Sequence, residues 1–339
     1  MSVRVGINGF GRIGRNFLRA CRQRGDAVEV VAVNDLTDAA TNAQLLRRDS
    51  THGTFPGTVE VDGADLVVDG RRIVVLGERE PGSLPWGSLG VDVVVESTGR
   101  FNTRAGAAAH LDAGAPRVVV SAPVRDADAT FVIGVNDSTF DPERHVVVSN
   151  ASCTTNCFVP MVKVLEDAFG ITGGLMTTVH AVTNDQNLLD LYHSDLRRAR
   201  AAPWNIVPSS TGAARATNLV MAQMQGRLDG SSLRVPVIDG SITDFTVLVP
   251  GKVSVAQVNE AFAAAASSGP LAGVVEHSTE PLVSSDIVGN PASCVFDSSL
   301  TMALAVGDSG TLVKVHGWYD NEWGYSNRLV DLVKIVGAA

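Results

Sequence analysis

The chain has 339 residues, 45% of them hydrophobic and 19% charged, enough for about two domains with buried cores. Its formal net charge of −9, from 27 basic against 36 acidic residues, argues against a nucleic-acid partner, because a phosphate backbone is held by a basic surface. No apolar run approaches the ~20 residues of a membrane span, the N-terminus passes into a strand pattern with no leader before it, and four cysteines are too few for a disulfide scaffold. No membrane partner and a cytoplasmic setting are therefore expected.

Residues 3–7 form a short β-branched run, followed by Asn8-Gly9-Phe10-Gly11-Arg12-Ile13-Gly14. Ile13, Phe17, Leu18 and Cys21 then recur at helical spacing, and a second apolar run, 28–33, ends at Asn34-Asp35. This is strand, glycine-rich turn, helix, strand. Further apolar runs at 73–76, 91–95, 118–120 and 145–148 alternate with polar or alanine-rich stretches, and residues 105–113 read as a helix stopped at Gly114. The alternation predicts a mostly parallel sheet with helices on its faces.

After Cys153 the strand-like runs lengthen and alternate, at 175–180, 233–237 and 242–249, separated by Gly-Gly, Pro or Asp-Gly turn signals. Residues 257–266 read as a helix, so this half predicts an α+β arrangement with a mostly antiparallel sheet. The final segment, 327–336, places Leu329, Val330, Val333 and Val336 on one helical face behind a Ser326 cap. Between them lies a polar stretch, 182–203, too long for an ordinary connection, and loops of that size are usually functional.

Gly9-x-Gly11-x-x-Gly14 has a physical purpose. The first glycine allows the tight turn, the second lets backbone approach a pyrophosphate, and the third lets helix pack on strand. The phosphates would then meet free N–H groups at the helix N-terminus. A bare match could be any glycine-rich turn, but this one follows a strand, opens a helix, and has Asp35 about 20 residues further on. A carboxylate there hydrogen-bonds ribose hydroxyls and repels a 2′-phosphate, which favours NAD over NADP.

Cys153 sits in Asn150-Ala151-Ser152-Cys153-Thr154-Thr155-Asn156-Cys157. A buried cysteine is usually a small hydrophobe, which suits Cys21, Cys157 and Cys294. Cys153 differs, because hydroxyls flank it and a helical pattern starts after it. The helix terminus is expected to lower its thiol from ~8.5 toward neutrality. Pro160 should bend that helix. A Cys-x3-Cys metal pair is the alternative, with no second pair and no nearby histidine to complete it, so no metal is expected. His180 closes a strand run at the mouth of the long loop. Alone it would read as structural, and a nucleophile candidate elsewhere gives it a catalytic reading. Pro208-Ser209-Ser210-Thr211-Gly212 offers donors for an anion, and Arg197 and Arg234 offer charge, though each would otherwise read as a solvated surface group.

Together these motifs resemble one family, the phosphorylating glyceraldehyde-3-phosphate dehydrogenases. The likeness runs from Asn8-Gly9-Phe10-Gly11-Arg12-Ile13-Gly14-Arg15 through Ser152-Cys153-Thr154-Thr155-Asn156, Thr183-Asn184-Asp185-Gln186, Ser210-Thr211-Gly212-Ala213-Ala214 and Arg234-Val235-Pro236 to Trp318-Tyr319-Asp320-Asn321-Glu322-Trp323-Gly324-Tyr325. The resemblance implies a Rossmann NAD-binding domain over residues 1–152, with a helix at 318–339 returning to it. It also implies a catalytic domain over 153–317 with an S-loop at 181–205, and a homotetramer. It gives Cys153 the role of nucleophile and His180 that of base. Ser152, Thr154, Thr183, Arg197, Thr211, Gly212 and Arg234 would bind the phosphate of glyceraldehyde 3-phosphate and inorganic phosphate. Arg12, Ile13, Asp35, Arg79, Ser121 and Asn321 would hold NAD with the three glycines, Asn321 near the nicotinamide carboxamide.

The sequence departs from the family at Tyr192, where most bacterial members have proline, at Trp204, and at Ile238-Asp239-Gly240. Tyr192 is similar to the erythrose-4-phosphate dehydrogenases, which tend to lose the Ser-Thr-Gly loop kept here. That enzyme and a non-catalytic NAD-binding scaffold are the alternative readings. Tyr192 and Trp204 also suit an isoform insensitive to electrophiles that alkylate the catalytic cysteine.

Overall fold

The computed structural model describes residues 2–25 and 27–338, so Met1 and Ala339, the outer ends of the expected 1–152 and 318–339 spans, lie outside it. The chain divides into two compact units: Met1–Phe131, Asp137–Ser152 and Ser326–Ala339 form one, and Val132–Asn136 with Cys153–Tyr325 form the other.

The first unit opens with β1 (Val3–Asn8), α1 (Arg12–Arg24), β2 (Val28–Asn34) and α2 (Ala39–Arg47), then a small hairpin, β3 (Arg48–Asp49) with β4 (Gly53–Thr54). It continues through β5 (Val59–Asp62), β6 (Asp65–Val68), β7 (Arg71–Leu76), β8 (Val93–Glu96), α3 (Arg104–Asp112), β9 (Arg117–Val120), β10 (Ala129–Thr130) and β11 (Val147–Ser149). These strands, the small hairpin apart, build a nine-stranded sheet in the order β10-β11-β9-β8-β1-β2-β7-β6-β5. Pairing is parallel from β10 to β7. The far edge, β7-β6-β5, is an antiparallel meander, of which the apolar run at 73–76 marked β7 but hydrophobic periodicity did not reveal β5 and β6. The central strands are buried on both faces, as covered parallel strands must be: Val93, Val94 and Val95 are fully buried, as are Val118, Val119 and Val120. The run read at 91–95 becomes a strand only at Val93, and that at 145–148 only at Val147. Helix α3 is capped by the Thr103 side chain on the Gly106 N–H and is followed by Gly114 at φ 89°.

The second unit starts with α4 (Cys153–Phe169), which continues through Pro160. It then contains β12 (Gly173–His180), β13 (Val207–Ser210), α5 (Ala213–Val220), β14 (Leu228–Arg234), β15 (Ser241–Val249) and α6 (Val255–Ser267). Next come β16 (Val275–Ser278), α7 (Ser284–Ile287), β17 (Cys294–Asp297), β18 (Met302–Ala305), β19 (Thr311–Tyr319) and the start of α8 (Trp323–Gly337). The sheet order is β13-β14-β12-β15-β19-β17-β16, with β18 on β19. It is antiparallel except where β12 meets β14 and β16 meets β17. Alternation decides the buried face: Phe245, Val247 and Val249 of β15 and Val313 and Val315 of β19 are fully buried.

Two sequence boundaries move. The strand read at 233–237 ends at Arg234. The last helix begins at Trp323, not at Ser326, because the Asp320 carboxylate accepts the Glu322 and Trp323 N–H groups at 2.9 and 2.6 Å. An aspartate does the capping, and Ser326 is a fully buried residue inside the helix.

Candidate active site

In the first unit the three glycines occupy the positions their spacing requires. Gly9 has φ 92°, and a Cβ there would lie 2.6 Å from the Thr98 backbone nitrogen. A Cβ at Gly14 would lie 2.3 Å from the Gly9 carbonyl oxygen, so helix and turn could not close together. A Cβ at Gly11 would meet nothing. Its absence keeps open the space before α1, whose N-terminus has no side-chain cap. An anionic group fits that open space and those N–H groups. The adjoining pocket of about 270 Å³ is lined by Gly9, Gly11, Asn34, Asp35, Arg79 and Thr98, among others.

Asp35 is oriented from both sides. One oxygen accepts the Phe10 N–H at 3.0 Å, and the other accepts the Thr37 N–H and hydroxyl at 3.1 and 3.0 Å. Arg12 turns its guanidinium onto Asp49. Burial would push Asp49 up, but the Arg12 bond and the N–H groups of His52 and Thr51 bring it down to about 2. The Arg12 side chain is thus a structural brace, and its place at the start of α1, with Ile13 beside it, leaves the backbone as its means of meeting a phosphate. Ser121 stands just past β9, its N–H bonded to the Glu96 carbonyl at 2.9 Å, at the carboxyl edge of the parallel strands where ligands of such sheets bind.

In the second unit Cys153 is the first residue of α4, and two residues earlier Ala151 is fully buried at φ 55°, a backbone region costly for a residue with a Cβ. His180 ends β12 and is 3% exposed. Its Nδ1 lies 2.7 Å from the Ala181 carbonyl, which can only accept, so Nδ1 carries the proton and Nε2 presents a lone pair. That Nε2 lies 3.4 Å from Cys153 Sγ. The Tyr319 ring stands edge-on to the imidazole at 5.9 Å between centroids.

The thiol is not lowered as the helix terminus alone would imply. Burial pushes Cys153 up to about 11, against the opposing pull of Arg234 and the backbone N–H groups at the start of α4, although part of the residue remains exposed. Burial, with Arg234, pushes His180 down to about 3. Each group alone therefore favours its neutral form. The route to a thiolate is transfer of the proton from Sγ to Nε2, after which the two opposite charges stabilise each other and the pair titrates as a unit.

Parallel pairing of β12 with β14 sets His180 directly beside Arg234. Arg234 donates to the Ala181 carbonyl at 3.3 Å and the Thr183 hydroxyl at 2.5 Å, and Thr183 in turn bonds Asp185. Asp185 is paired with Arg198, whose Nε also reaches Ser209 Oγ at 3.3 Å. The arginine that the geometry brings into this cluster is not the one the sequence singled out. Arg198, half-buried, joins the cluster, whereas its exposed neighbour Arg197 bonds Asp195 only through its backbone N–H. Thr154 is also turned away: its hydroxyl is buried against Tyr319 OH at 2.9 Å, which Thr178 meets from the other side at 2.7 Å. Thr211 and Gly212 precede α5, the Thr211 hydroxyl accepting the Ala213 N–H at 3.2 Å. By register they lie a few strand residues from Arg234, since Ser210 faces Ser231. Ser152 adjoins Cys153 in the chain but falls in the first unit. Asn321, 5% exposed in the second unit, accepts the Ser241 hydroxyl at 2.7 Å.

A thiol beside an unprotonated imidazole nitrogen with arginine close by in one unit, and in the other a sheet with the glycine turn of dinucleotide-binding folds, are the features of a class: the dinucleotide-dependent dehydrogenases that work through a cysteine. Comparison with known proteins narrows it. Residues 3–104 match the family model described as glyceraldehyde 3-phosphate dehydrogenase, NAD binding domain, and residues 152–321 match its C-terminal domain. The chain is 57% identical over 339 residues to glyceraldehyde-3-phosphate dehydrogenase 2 of Streptomyces arenae, covering 100% of each chain. It is 56% identical over 337 residues to the Streptomyces coelicolor enzyme and 57% over 343 residues to that of Mycobacterium tuberculosis, with 99% of each chain covered. The chain belongs to the glyceraldehyde-3-phosphate dehydrogenase family.

Proposed function

We propose that the chain oxidises D-glyceraldehyde 3-phosphate to 1,3-bisphosphoglycerate, reducing NAD and consuming inorganic phosphate. The observation that carries this reading is the 3.4 Å approach of Cys153 Sγ to an unprotonated His180 Nε2. Sulfur adds to the aldehyde carbon while its proton passes through His180 to the carbonyl oxygen, giving a thiohemiacetal. NAD, when bound, would supply the hydride acceptor for oxidation of that carbon to the thioester level. His180 receives the hydroxyl proton as that happens. A phosphate oxygen then attacks the thioester carbon, the C–S bond breaks, and the acyl phosphate leaves a thiolate facing the imidazolium.

NAD would be held by Gly9, Gly11 and Gly14, the N–H groups of Arg12 and Ile13, Asp35, Arg79, Ser121 and Asn321. Two anions must be held, and Arg234 with Thr183 and Arg198 with Ser209 supply charge-assisted donors, roughly twice as strong as neutral ones. Ser152, Thr211 and Gly212 complete the proposed anion ligands. A homotetramer is supported by the large apolar side chains the second unit leaves exposed, among them Leu188, Leu191, Met302 and Leu304. No helix among the described residues is long and apolar enough to cross a membrane, which fits the cytoplasmic setting we propose.

The reading is tested by NADH formation from glyceraldehyde 3-phosphate, with a peptide map after limited iodoacetamide treatment. Loss of activity should track alkylation of Cys153. Faster labelling of Cys157 or Cys294, both fully buried, would overturn the nucleophile assignment. Tyr192 and Trp204 stand 88% and 86% exposed on the S-loop. Their reading as marks of an electrophile-insensitive isoform fails if this protein and an ordinary bacterial homologue are inactivated equally.

A further inference from the structure

Behind the dinucleotide pocket of the first unit lies a carboxylate that sequence reading passed over. Glu96, the last residue of β8, is 1% exposed and pairs with no lysine or arginine among the described residues. Four donors converge on it instead. Oε2 faces Asn8 Nδ2 at 2.6 Å and His110 Nε2 at 3.0 Å. Oε1 accepts the Thr98 N–H at 2.8 Å and the Thr98 hydroxyl at 2.5 Å. The histidine has no freedom in this, because the Trp86 indole N–H, which can only donate, lies 3.0 Å from its Nδ1. Nδ1 is thereby the acceptor, and Nε2 must carry the proton that points at Glu96.

The direction of each proton follows. An ionised carboxylate is acceptor-only and has about four lone-pair sites, which matches four donors. With the Asn8 amide nitrogen committed to Glu96, its oxygen accepts Asn34 Nδ2 at 2.7 Å. Asn34 also donates to the Glu78 carbonyl and accepts the Glu78 N–H, each at 2.8 Å. Asn8, Asn34, Glu78 and Thr98 all line the pocket, while Glu96, His110 and Trp86 stand behind them. Because the Thr98 proton points inward, its oxygen acts as an acceptor on the other side: one lone pair takes the Arg100 N–H at 3.1 Å, and one is left for the pocket. Glu96 thus leaves the Thr98 oxygen as an acceptor in a pocket that Asp35 also lines, the polarity that suits sugar hydroxyls.

We propose that Glu96 is a positioning residue of the dinucleotide site: its buried carboxylate fixes the direction of the hydrogen bonds through Asn8, Asn34 and Thr98 and so sets which partner the pocket receives. This rests on the NAD reading given above. Glutamine has nearly the same shape but replaces two acceptor sites with an NH2, so at least one donor would face a donor. Aspartate is shorter yet stays acceptor-only.

The test compares Glu96→Gln with Glu96→Asp by NAD titration and by the separate effects on KM for NAD and on kcat. Glu96→Gln should raise the dissociation constant and KM for NAD about tenfold or more while kcat at saturating NAD changes less than about threefold. Glu96→Asp should bind NAD better than Glu96→Gln, the reverse of what shape alone dictates. If the glutamine variant does not fold, His110→Phe removes one donor to Glu96 without touching the pocket lining, and KM for NAD should rise several-fold at constant kcat. A folded Glu96→Gln with NAD affinity within twofold of the parent, or an aspartate variant weaker than glutamine, overturns the proposal. So does an unchanged KM in His110→Phe. Absence of NAD binding by the unaltered protein would instead overturn the NAD reading beneath it.

Discussion

The dinucleotide pocket of the first unit and the thiol site of the second are built in opposite ways. The pocket's central features come from consecutive residues. Gly9, Gly11 and Gly14 shape the backbone by having no side chain, and a Cβ at either outer position would strike backbone atoms. The thiol site is assembled from distant segments by strand register: β12 brings His180, β14 brings Arg234, and the S-loop brings Thr183, Asp185 and Arg198. A Cβ at Gly9 or Gly14 is excluded by the backbone itself, whereas the thiol site depends on which side chains the register brings together.

The largest effects should fall on Cys153 and His180, the two residues proposed to carry the chemistry. Cys153→Ser should abolish oxidation and leave NAD affinity unchanged, because an alcohol is far less ionised than a thiol at neutral pH. His180→Asn should slow turnover by about 10² to 10⁴, the usual worth of a general base. The sign of its pH effect follows from the site. Burial, against the opposing pull of Arg234 and the N–H groups at the start of α4, leaves the thiol up at about 11. Without the imidazole to take the proton, the pH midpoint for iodoacetamide alkylation of Cys153 should therefore move upward, and alkylation at pH 7 should slow.

Next come the glycines, which separate folding from binding. Gly14→Ala puts a carbon 2.3 Å from a carbonyl oxygen and should lower stability by about 1–3 kcal/mol as well as NAD affinity, read by thermal melting and NAD titration. Gly11→Ala meets no protein atom, so its melting temperature should hold while NAD binding weakens. Equal losses in both would break the contrast between the sites.

Two smaller effects sharpen it further. Arg198→Leu should raise KM for phosphate or for the sugar phosphate about tenfold to a hundredfold, the worth of a charge-assisted bond, while Arg197→Leu should change little. Asp35→Ala should raise KM for NAD and admit NADP, since it removes both the ribose acceptor and the charge that repels a 2′-phosphate. If the unaltered protein already used NADP as well as NAD, the cofactor reading would be wrong.

The same contrast explains how much could be read from sequence. Gly9 and Gly14 were legible because each answers a local backbone demand, and Gly11 and Asp35 were legible as candidates because they stand at a fixed spacing from them. Cys153 and His180 were legible as candidates because each sits at the end of a periodic run. The choice between Arg197 and Arg198 was not, since a loop without period gives no way to tell which neighbour faces inward. The burial of Thr154 against Tyr319 was not legible either, because it depends on a strand 165 residues away in the chain. Glu96 escaped notice for a similar reason: its donors come from β1, α3 and the turn after β8, and only the parallel sheet brings them together. The strands β5 and β6 and the Asp320 cap were missed for a more local reason, as four-residue strands with only one or two buried side chains and a capping carboxylate leave little apolar signature.

The central claim is that Cys153 carries an acyl group that only phosphate releases efficiently. With glyceraldehyde 3-phosphate and NAD in phosphate-free buffer, NADH should form rapidly to about one equivalent per subunit and then stall, and added phosphate or arsenate should restore steady turnover. Sustained NADH production without either anion, with erythrose 4-phosphate the better substrate, would contradict the account and assign the chain to hydrolytic oxidation of the longer sugar.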